Sequence, residues 1–235
     1  MYTVAVIPAR GGSKGLPGKN RAKVQGRSLV ERAVLVAKNV KAIKRIIVST
    51  DDEQIAEHAR EIGAEVPFIR PPDLSKDDTP MVSVLSHTLS WLRSDINEGR
   101  QSIDAIILLA PTSPMRRSED VAGAINLYFS LRNKHTQVGA VHTVSPVPTC
   151  YQPQCLWKMV TREDGIPLLN RDKEYGIDCQ YYYRNGAAVV LDPSRVEALN
   201  LKKWPVYPYI IDRTLVSIDS DFDRLRVENS VYLEH

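Results

Sequence analysis

The 235-residue chain has 43% hydrophobic and 25% charged residues, a balance typical of a globular protein with one domain, or one domain and a small appendage. Its net charge of +3 is too small, and its cations are too dispersed, to indicate nucleic-acid binding. No apolar run approaches the roughly 18 residues of a membrane span, and the cysteines lack C-x-x-C spacing, which fits a reducing compartment. We therefore expect a cytoplasmic protein with no nucleic-acid or membrane partner.

The first third of the chain alternates predicted strands and helices. Apolar runs bounded by proline or glycine predict strands, and a capping box that begins at Ser28 predicts a helix. In order, the predictions are a strand at 3–8, a helix at 29–39, a strand at 45–49, a helix at 53–62 and an extended segment at 64–69. This alternation predicts a doubly wound, parallel sheet.

The rest of the chain continues this pattern with one interruption. The predicted elements are a helix that begins near Pro80, a strand at 104–109, a helix at 118–131, strands at 138–144, 187–191, 206–210 and 215–218, and a helix from Asp221 to about residue 233. Residues 146–185 hold all three cysteines and several tyrosines without a sustained period, which is too long for an ordinary loop. We therefore predict an α/β domain at 1–145 and 186–235 and an extension at 146–185 that packs on a second subunit.

Glycines and cations crowd the segment that follows the first predicted strand. They are Gly11, Gly12, Gly15 and Gly18, together with Arg10, Lys14 and Lys19. Glycines let backbone N–H groups approach an anion closely, so the segment predicts a phosphate-binding loop. The spacing G-x-x-G-x-x-G excludes both a Walker A loop and the G-x-G-x-x-G dinucleotide fingerprint. A basic, solvated loop with turn glycines is the structural alternative.

This loop resembles the first motif of the CMP-sugar synthetases, the acylneuraminate cytidylyltransferase family. The motif reads I-P-A-R-x-G-S-K-G-x-x-x-K-N, and each fixed position is matched between Ile7 and Asn20. Four later segments resemble further motifs in the same order: R-P-x-x-L from Arg70, L-L-Q-P-T-S-P-L-R from Leu108, N-G-A from Asn185 and D-I-D-T-x-x-D-F from Ser217. The resemblance implies an α/β, doubly wound, mostly parallel fold of the nucleotidyltransferase (Rossmann-like) type.

The resemblance also implies roles for individual residues. The implied nucleotide-binding residues are Arg10, Gly11, Gly12, Ser13, Lys14, Lys19, Asn20, Arg70, Asp78 and Ser83. The implied catalytic residues are Arg10, Lys14 and Asp219. The candidates on the acceptor side are Ala110, Thr112, Ser113, Arg171 and Asn185. His142 lies in a predicted strand that could reach the site, but a core histidine is the favoured interpretation.

Asp219 is the strongest candidate for a metal ligand. It follows the predicted strand 215–218 at the edge where open α/β sheets bind ligands, although the position also suits a helix cap. The resemblance favours metal binding, because Asp219 matches the family's second terminal aspartate, whereas Ser217 replaces the first. Since a hydroxyl binds Mg²⁺ more weakly than a carboxylate, Asp221 is a candidate second ligand.

The function implied by the resemblance is transfer of the cytidylyl group from CTP to a nonulosonic (sialic-type) acid, with Mg²⁺, giving a CMP-sugar and pyrophosphate. The resemblance also implies a homodimer, whose extension reaches into the partner's active site. Ala110 replaces the family's acceptor-contacting glutamine, so we expect a different acid from that of a standard sialic acid synthetase. Two alternatives remain open: transfer to another acid, such as an octulosonic acid or a phosphonate, and a non-catalytic nucleotide-binding protein.

Overall fold

A six-stranded sheet with helices on both faces organises the chain. The computed structural model describes residues 1–12, 16, 18–96, 102–134, 137–152, 158–161, 167–170, 180–197 and 205–230. The described strands are β1 (Thr3–Pro8), β2 (Lys23–Val24), β3 (Arg27–Ser28), β4 (Ile43–Ser49), β5 (Ala105–Leu108), β6 (Ala140–Pro146), β7 (Lys158–Thr161), β8 (Pro167–Asn170), β9 (Tyr182–Leu191) and β10 (Val206–Ile210). The described helices are α1 (Leu29–Lys38), α2 (Glu53–Glu61), α3 (Met81–Ile96), α4 (Ser118–Lys134), α5 (Pro193–Glu197) and α6 (Asp221–Glu228).

The central sheet is mostly parallel, as predicted. Its strand order is β10-β6-β9-β5-β1-β4. β1 runs parallel to β4 and β5, and β6 runs parallel to β10. β9 lies between β5 and β6 and runs antiparallel to both. The predicted α/β fold is therefore confirmed, with an antiparallel strand inserted between two parallel groups.

β9 runs antiparallel because it returns from an excursion that begins at the end of β6. Pro146 in β6 lies opposite Tyr182 in β9, and the Val147 N–H donates to the Tyr181 carbonyl at 2.9 Å. The predicted extension thus leaves and rejoins the sheet at neighbouring positions. Inside it the structure describes the antiparallel pair β7–β8. The segments 153–157, 162–166 and 171–179 lie outside the described residues.

Alternating side chains of β1 enter two different cores. Ala5 and Ile7 pack in the cluster that contains α1, α2 and α4. Val4 and Val6 pack on the opposite face with α3 and α5. Successive strand residues point to opposite faces, so a run that is apolar at every position predicts a strand covered on both sides. α3 contributes Leu85, Leu89 and Leu92, all of them buried, to the second cluster.

The predicted strand at 215–218 is wrong, because these residues form no regular structure. The Leu215 N–H donates to the Tyr183 hydroxyl at 3.0 Å, and the Ile218 N–H donates to the Thr112 carbonyl at 2.8 Å. Leu215 and Ile218 are buried in a third cluster with Leu16 and Val227. These apolar residues are therefore buried in a loop. Their backbone N–H groups bond to a tyrosine side chain and to another loop, and not to a neighbouring strand. The cluster also brings the start of α6 close to the glycine-rich loop.

The segment at 64–69 and the last helix also differ from the predicted elements. The extended segment at 64–69 joins β4 only through isolated parallel bridges, Ile47 with Glu65 and Thr50 with Ile69. The last helix ends at Glu228, earlier than predicted, and residues 231–235 lie outside the described residues. Among the helices described, none combines the length and the apolar character that crossing a membrane requires.

Candidate functional site

A cleft of about 290 Å³ opens beyond the carboxyl end of β1, where ligands bind in open α/β sheets. It is lined by Pro8, Arg10, Lys19, Asn20, Arg70, Leu74, Lys76, Asp77, Thr79, Met81, Val84, Ala110, Pro111 and Thr112. Four of these side chains are cations and one is an acid. The structure therefore brings the three predicted nucleotide-binding cations Arg10, Lys19 and Arg70, together with Asn20, to one cleft with a net positive charge.

Gly11 fixes the start of the glycine-rich loop against the beginning of α2. Its N–H donates to Asp51 Oδ1 at 3.0 Å. A Cβ at this position would lie 2.6 Å from Asp52 Oδ2. Asp52 caps α2 by accepting from the Gln54 and Ile55 N–H groups, so it cannot move away freely. Only glycine fits this approach, whereas Gly12 has open space around its Cα. Ser13 and Lys14 lie outside the described residues.

The two loop cations each reach a carboxylate from a distant part of the chain. Arg10 Nη1 lies 2.5 Å from Asp77 Oδ1, and Lys19 Nζ lies 2.9 Å from Asp219 Oδ1. The Lys19 side chain is 16% exposed, whereas that of Asp219 is 70% exposed. The ion pairs therefore join the loop to the segment before α3, which lines the cleft, and to the residue before the cap of α6.

Arg70 is a buried cation at the base of the cleft. It is 4% exposed, its Nε donates to Ser75 Oγ at 3.2 Å, and its Nη2 lies 3.6 Å from Asp51 Oδ1. Burial lowers the pKa of Arg70, and Asp51 opposes that shift. Within the described chain, Nη2 makes no hydrogen bond. A buried guanidinium that lines a cleft attracts an anionic ligand through its positive charge.

Of the other predicted nucleotide-binding residues, Asn20 lies in the cleft, whereas Asp78 and Ser83 do not. Asn20 lines the cleft and is buried, and its Nδ2 donates to the Arg10 carbonyl at 2.8 Å, so it holds the loop as well as facing the ligand space. Asp78 is exposed and Ser83 is half-buried in α3, and neither lines the cleft. Their neighbours Asp77 and Val84 do. Asp77 and Lys76 are the site residues that motif matching missed, and no spacing in the sequence singled them out.

The three carboxylates around the start of α6, those of Asp219, Asp221 and Asp223, each have different partners. Ser220 is the N-cap of α6 and forms a capping box with Asp223. Asp223 Oδ2 also accepts from the Asp219 N–H at 3.2 Å, and its hydrogen bond to Ser220 is the main reason that its pKa is lowered. Asp221 pairs with Arg224 at 3.2 Å. Asp219 is therefore not the cap, and its carboxylate faces Lys19 at the cleft.

The donor set around Asp219 fits a magnesium ion shared with a polyphosphate. Mg²⁺ keeps several waters and takes one or two protein carboxylates plus substrate phosphates. Asp219 supplies one exposed carboxylate beside a cleft of cations. Across the described residues there is no group of three or more His, Cys, Asp or Glu side chains that could hold a metal unaided. A metal here would depend on oxygens from a substrate.

Arg116 determines the shape of the turn that carries Ala110, Thr112 and Ser113. It is 1% exposed, its Nε donates to the Ser113 carbonyl at 3.0 Å, and its Nη2 donates to the Ala110 carbonyl. Burial lowers the pKa of Arg116 to about 9, although Asp120 opposes that shift. Thr112 lines the cleft, whereas Ser113 is buried. The turn is thus fixed by a buried cation, and Ala110 is the residue of the turn that lines both the cleft and a second cavity.

Ala110 borders the cleft and also further empty space. A cavity of about 270 Å³ on its other side is lined by Leu108, Ala110, His142, Thr143, Arg184, Gly186, Ala188 and Val189. A cavity of about 510 Å³ shares Leu108, His142, Arg184 and Val189 with it and is also lined by Met81, Val82, Leu85, Val144, Leu191, Arg195, Val206, Tyr207 and Pro208. His142 therefore faces these cavities, and the interpretation of it as a core histidine is incomplete.

Asn185 is buried behind this surface and does not line the described cavities. Its Nδ2 donates to Ser145 Oγ at 2.9 Å, and its Oδ1 accepts from the Ala187 N–H at 3.1 Å. Gly186 has φ +71°, and a Cβ there would lie 2.5 Å from Ser113 Oγ. The N-G-A segment thus holds β9 against the Ala110 turn in this structure. Arg171 lies outside the described residues.

A family match and the similarity to individual proteins identify the same family for this chain. Residues 4–195 match the family described as Cytidylyltransferase. The chain is 30% identical over 224 residues to the CMP-N,N′-diacetyllegionaminic acid synthase of Legionella pneumophila, covering 94% of this chain and 91% of that protein. It is 31% identical over 134 residues to a pseudaminic acid cytidylyltransferase of Campylobacter jejuni, covering 57% of this chain and 56% of that protein.

A solved structure supports the fold independently. The CMP:2-keto-3-deoxy-manno-octonic acid synthetase complexed with CTP is similar with a TM-score of 0.69, and the match covers 97% of both chains. The sequence identity is 16%, so this likeness shows a common fold.

Proposed function

This chain belongs to the cytidylyltransferase family, and from that membership we propose that it transfers the cytidylyl group of CTP to a nonulosonic acid. The products are the CMP-sugar and pyrophosphate. The observation that carries the proposal is the convergence of Arg10, Lys19 and Arg70 on one cleft, which shares Ala110 with a neighbouring cavity lined by Arg184 and His142. Cations on one side suit a triphosphate, and the adjoining cavities have room for an acceptor.

Binding of the triphosphate follows from the positions of the cations. Arg10 and Lys19 would exchange their carboxylate partners, Asp77 and Asp219, for phosphate oxygens, and the buried positive charge of Arg70 at the base of the cleft would attract the nucleotide. Lys14 would act on the phosphates too, as the family motif implies. Positive groups held in place before the reaction stabilise charge as it develops on the departing pyrophosphate.

The reaction is a displacement at the α-phosphorus. The anomeric hydroxyl oxygen of the acid forms the new P–O bond, the bond to the β-phosphate oxygen breaks, and pyrophosphate leaves with the electron pair. The hydroxyl proton passes to solvent or to a nearby base. Asp219 would hold Mg²⁺, which supplies charge neutralisation across the phosphates when bound.

Relatives support a nonulosonic acid as the acceptor. The Legionella protein, similar along nearly the whole chain, is named for a diacetyllegionaminic acid, and the Campylobacter protein for pseudaminic acid. Ala110, with a short side chain beside a cavity, suits an acid bulkier than one that needs a glutamine contact. The octulosonic acid alternative has only a neighbour of common fold in its favour.

Quaternary structure and location are part of the same proposal. The extension at 146–185 would mediate a homodimer, and the exposed tyrosines Tyr151 and Tyr182 stand at its base. CTP and the acid would be the partners in a cytoplasmic setting. Size-exclusion chromatography with light scattering tests the dimer, and replacing residues 147–181 by a two-residue turn should give a monomer.

Pyrophosphate release tests the activity directly. The purified chain with CTP and Mg²⁺ is offered N-acetylneuraminic, ketodeoxynonulosonic, legionaminic, pseudaminic and octulosonic acids, and the CMP-sugar is identified by mass spectrometry. Release with a nine-carbon acid, absent with UTP or ATP, is expected. Release only with an octulosonic acid or a phosphonate would replace the proposed acceptor. CTP binding without release from any acid would identify a non-catalytic nucleotide-binding protein.

A further inference from the structure

The segment that carries Asp219 to the cleft is a loop without a neighbouring strand. Residues 211–218 follow β10, which is an edge strand of the sheet, and they form no regular structure. Leu215, in the middle of this loop, is 5% exposed. Buried backbone N–H and C=O groups outside a helix or sheet need other hydrogen-bond partners, because leaving them unpaired is costly. The partners of this loop therefore decide where its last residue, and Asp219 after it, can lie.

One tyrosine hydroxyl bonds both backbone groups of Leu215. The Tyr183 hydroxyl accepts from the Leu215 N–H at 3.0 Å and donates to the Leu215 carbonyl at 3.2 Å. In a sheet, a residue of an adjacent antiparallel strand exchanges such a pair of hydrogen bonds. Here an aromatic side chain of β9 supplies both of them, so Tyr183 fixes the middle of the loop.

The residue paired with Tyr183 in the sheet holds the same loop. Ser145 of β6 lies opposite Tyr183, and residues directly opposite each other on antiparallel strands present their side chains on one face. Ser145 is fully buried, its Oγ donates to the Arg213 carbonyl at 2.7 Å, and it accepts from Asn185 Nδ2 at 2.9 Å. This hydroxyl pair, Ser145 and Tyr183, thus bonds the loop at positions two residues apart. It lies beside the point where the extension begins and ends.

Two further contacts complete the attachment of the loop. The Arg213 guanidinium makes a bidentate ion pair with Asp120, in which Nη1 lies 2.9 Å from Oδ1. The Ile218 N–H donates to the Thr112 carbonyl at 2.8 Å. The loop is therefore attached at residues 213, 215 and 218, and Asp219 is the next residue. Because the Asp219 side chain is short and exposed, the position of its carboxylate follows that of the loop backbone.

Building on the proposed function, we propose that Tyr183 and Ser145 are positioning residues for the metal: through the loop they hold Asp219 where its carboxylate and the phosphates of CTP share Mg²⁺. Neither side chain lines the three cavities described above, so both act through the loop and not on a substrate. Mg²⁺ demands near-ideal octahedral geometry, so a small displacement of a carboxylate ligand weakens its binding. Partners that orient a metal ligand commonly change metal affinity by about tenfold to a hundredfold.

Calorimetry of CTP binding measures this role without turnover. CTP is titrated into wild type and Tyr183→Phe, once with Mg²⁺ and once with EDTA, and the ratio of the two dissociation constants is the gain in CTP affinity due to Mg²⁺. Phenylalanine keeps the ring and removes only the hydroxyl. Tyr183→Phe should lose most of this gain, whereas its affinity for CTP in EDTA should equal that of wild type. In the pyrophosphate assay, the Mg²⁺ concentration for half-maximal release should rise by about tenfold.

Two further variants separate this role from a general loss of stability. Tyr128→Phe removes another phenol hydroxyl, which donates to Asp192 Oδ2 at 3.1 Å and does not line the cleft, and it should leave the Mg²⁺ gain unchanged. Ser145→Ala removes the second hydroxyl of the pair and should reduce the gain as Tyr183→Phe does. A Tyr183→Phe protein whose CTP affinity falls equally in EDTA and in Mg²⁺ has a general structural defect, and that result would overturn the proposal.

A double variant shows whether Tyr183 acts through Asp219. In that case the hydroxyl matters only while the carboxylate is present, so Tyr183→Phe added to Asp219→Asn should lower the Mg²⁺ gain no further. An additional loss in that background, a Tyr183→Phe protein with the wild-type gain, or a wild type whose CTP affinity Mg²⁺ does not raise would each reject the proposal. Failure of cytidylyl transfer would appear separately, as no pyrophosphate from wild type with any acid.

Discussion

Replacing Asp219 by asparagine tests whether Asp219 is a metal ligand or only the ion-pair partner of Lys19. Two opposite charges 2.9 Å apart attract by about 1.4 kcal/mol at the dielectric constant of water. Because the Asp219 side chain is 70% exposed, screening by solvent and the ordering of the Lys19 side chain offset most of that attraction. Asp219→Asn should therefore change the free energy of unfolding by less than about 1 kcal/mol.

The effect on metal use should be much larger. A neutral amide is a poor ligand for Mg²⁺, and even losing an outer-sphere partner of a metal ligand weakens metal binding by about tenfold or more. Asp219→Asn should therefore raise the Mg²⁺ concentration for half-maximal pyrophosphate release by at least about tenfold. The assay titrates Mg²⁺ at fixed CTP and acid, with unfolding followed by circular dichroism.

Two comparison variants sharpen the result. Asp95→Asn removes an exposed ion pair with Arg45, away from the cleft, and should leave the Mg²⁺ titration unchanged. Asp221→Asn tests the second predicted ligand, which pairs with Arg224 in this structure, and should have a smaller effect than Asp219→Asn. An Asp219→Asn protein that titrates with Mg²⁺ like wild type would refute the assignment. A larger effect at Asp221 would transfer the ligand to that position.

Three further predictions address the loop, the acceptor turn and the cavity. Lys14→Ala should lower kcat by a factor on the order of 10²–10³ in a folded protein, because a positioned donor to the developing charge is lost, and near-normal kcat would remove the loop lysine from catalysis. Ala110→Gln should change the ranking of acids by kcat/KM toward N-acetylneuraminate, whereas an unchanged ranking led by N-acetylneuraminate would contradict the open-pocket argument. His142 has a pKa of about 4 in the folded chain, below its unfolded value, so the stability present above pH 6.5 is lost as the pH falls toward 4. His142→Gln should reduce that loss by about 2 kcal/mol at pH 5 in denaturant unfolding, and parallel pH profiles would show that His142 titrates normally.

The sequence predicted the features that are encoded locally. Residues 4–8 of β1 are apolar at every position, a pattern typical of a strand covered on both faces, and the structure contains that strand. Ser28 and Glu31 lie three residues apart, and the structure contains the capping box that this spacing predicts. The glycine-rich loop was found for the same reason, since its residues are consecutive.

The features that were missed depend on distant contacts. The residues around Leu215 and Ile218 have the composition of a buried strand, but Thr112 and Tyr183 provide their backbone partners and keep them out of the sheet. Apolar spacing reports burial and does not report which backbone groups pair. Asp77 reaches the cleft only through the packing of the loop before α3, which no local pattern encodes.

The pairing of Pro146 with Tyr182 makes the intervening stretch a removable module. Because the two ends of the excursion lie opposite each other on adjacent antiparallel strands, a hairpin turn can join them without altering the register of the ladder. The same geometry allows an excursion of different length or sequence to be exchanged at this point, since its closure is already provided by the sheet. The contacts of this segment can therefore change during evolution while the cleft and the Ala110 turn keep their shape. A designed segment can be inserted at the same point for the same reason.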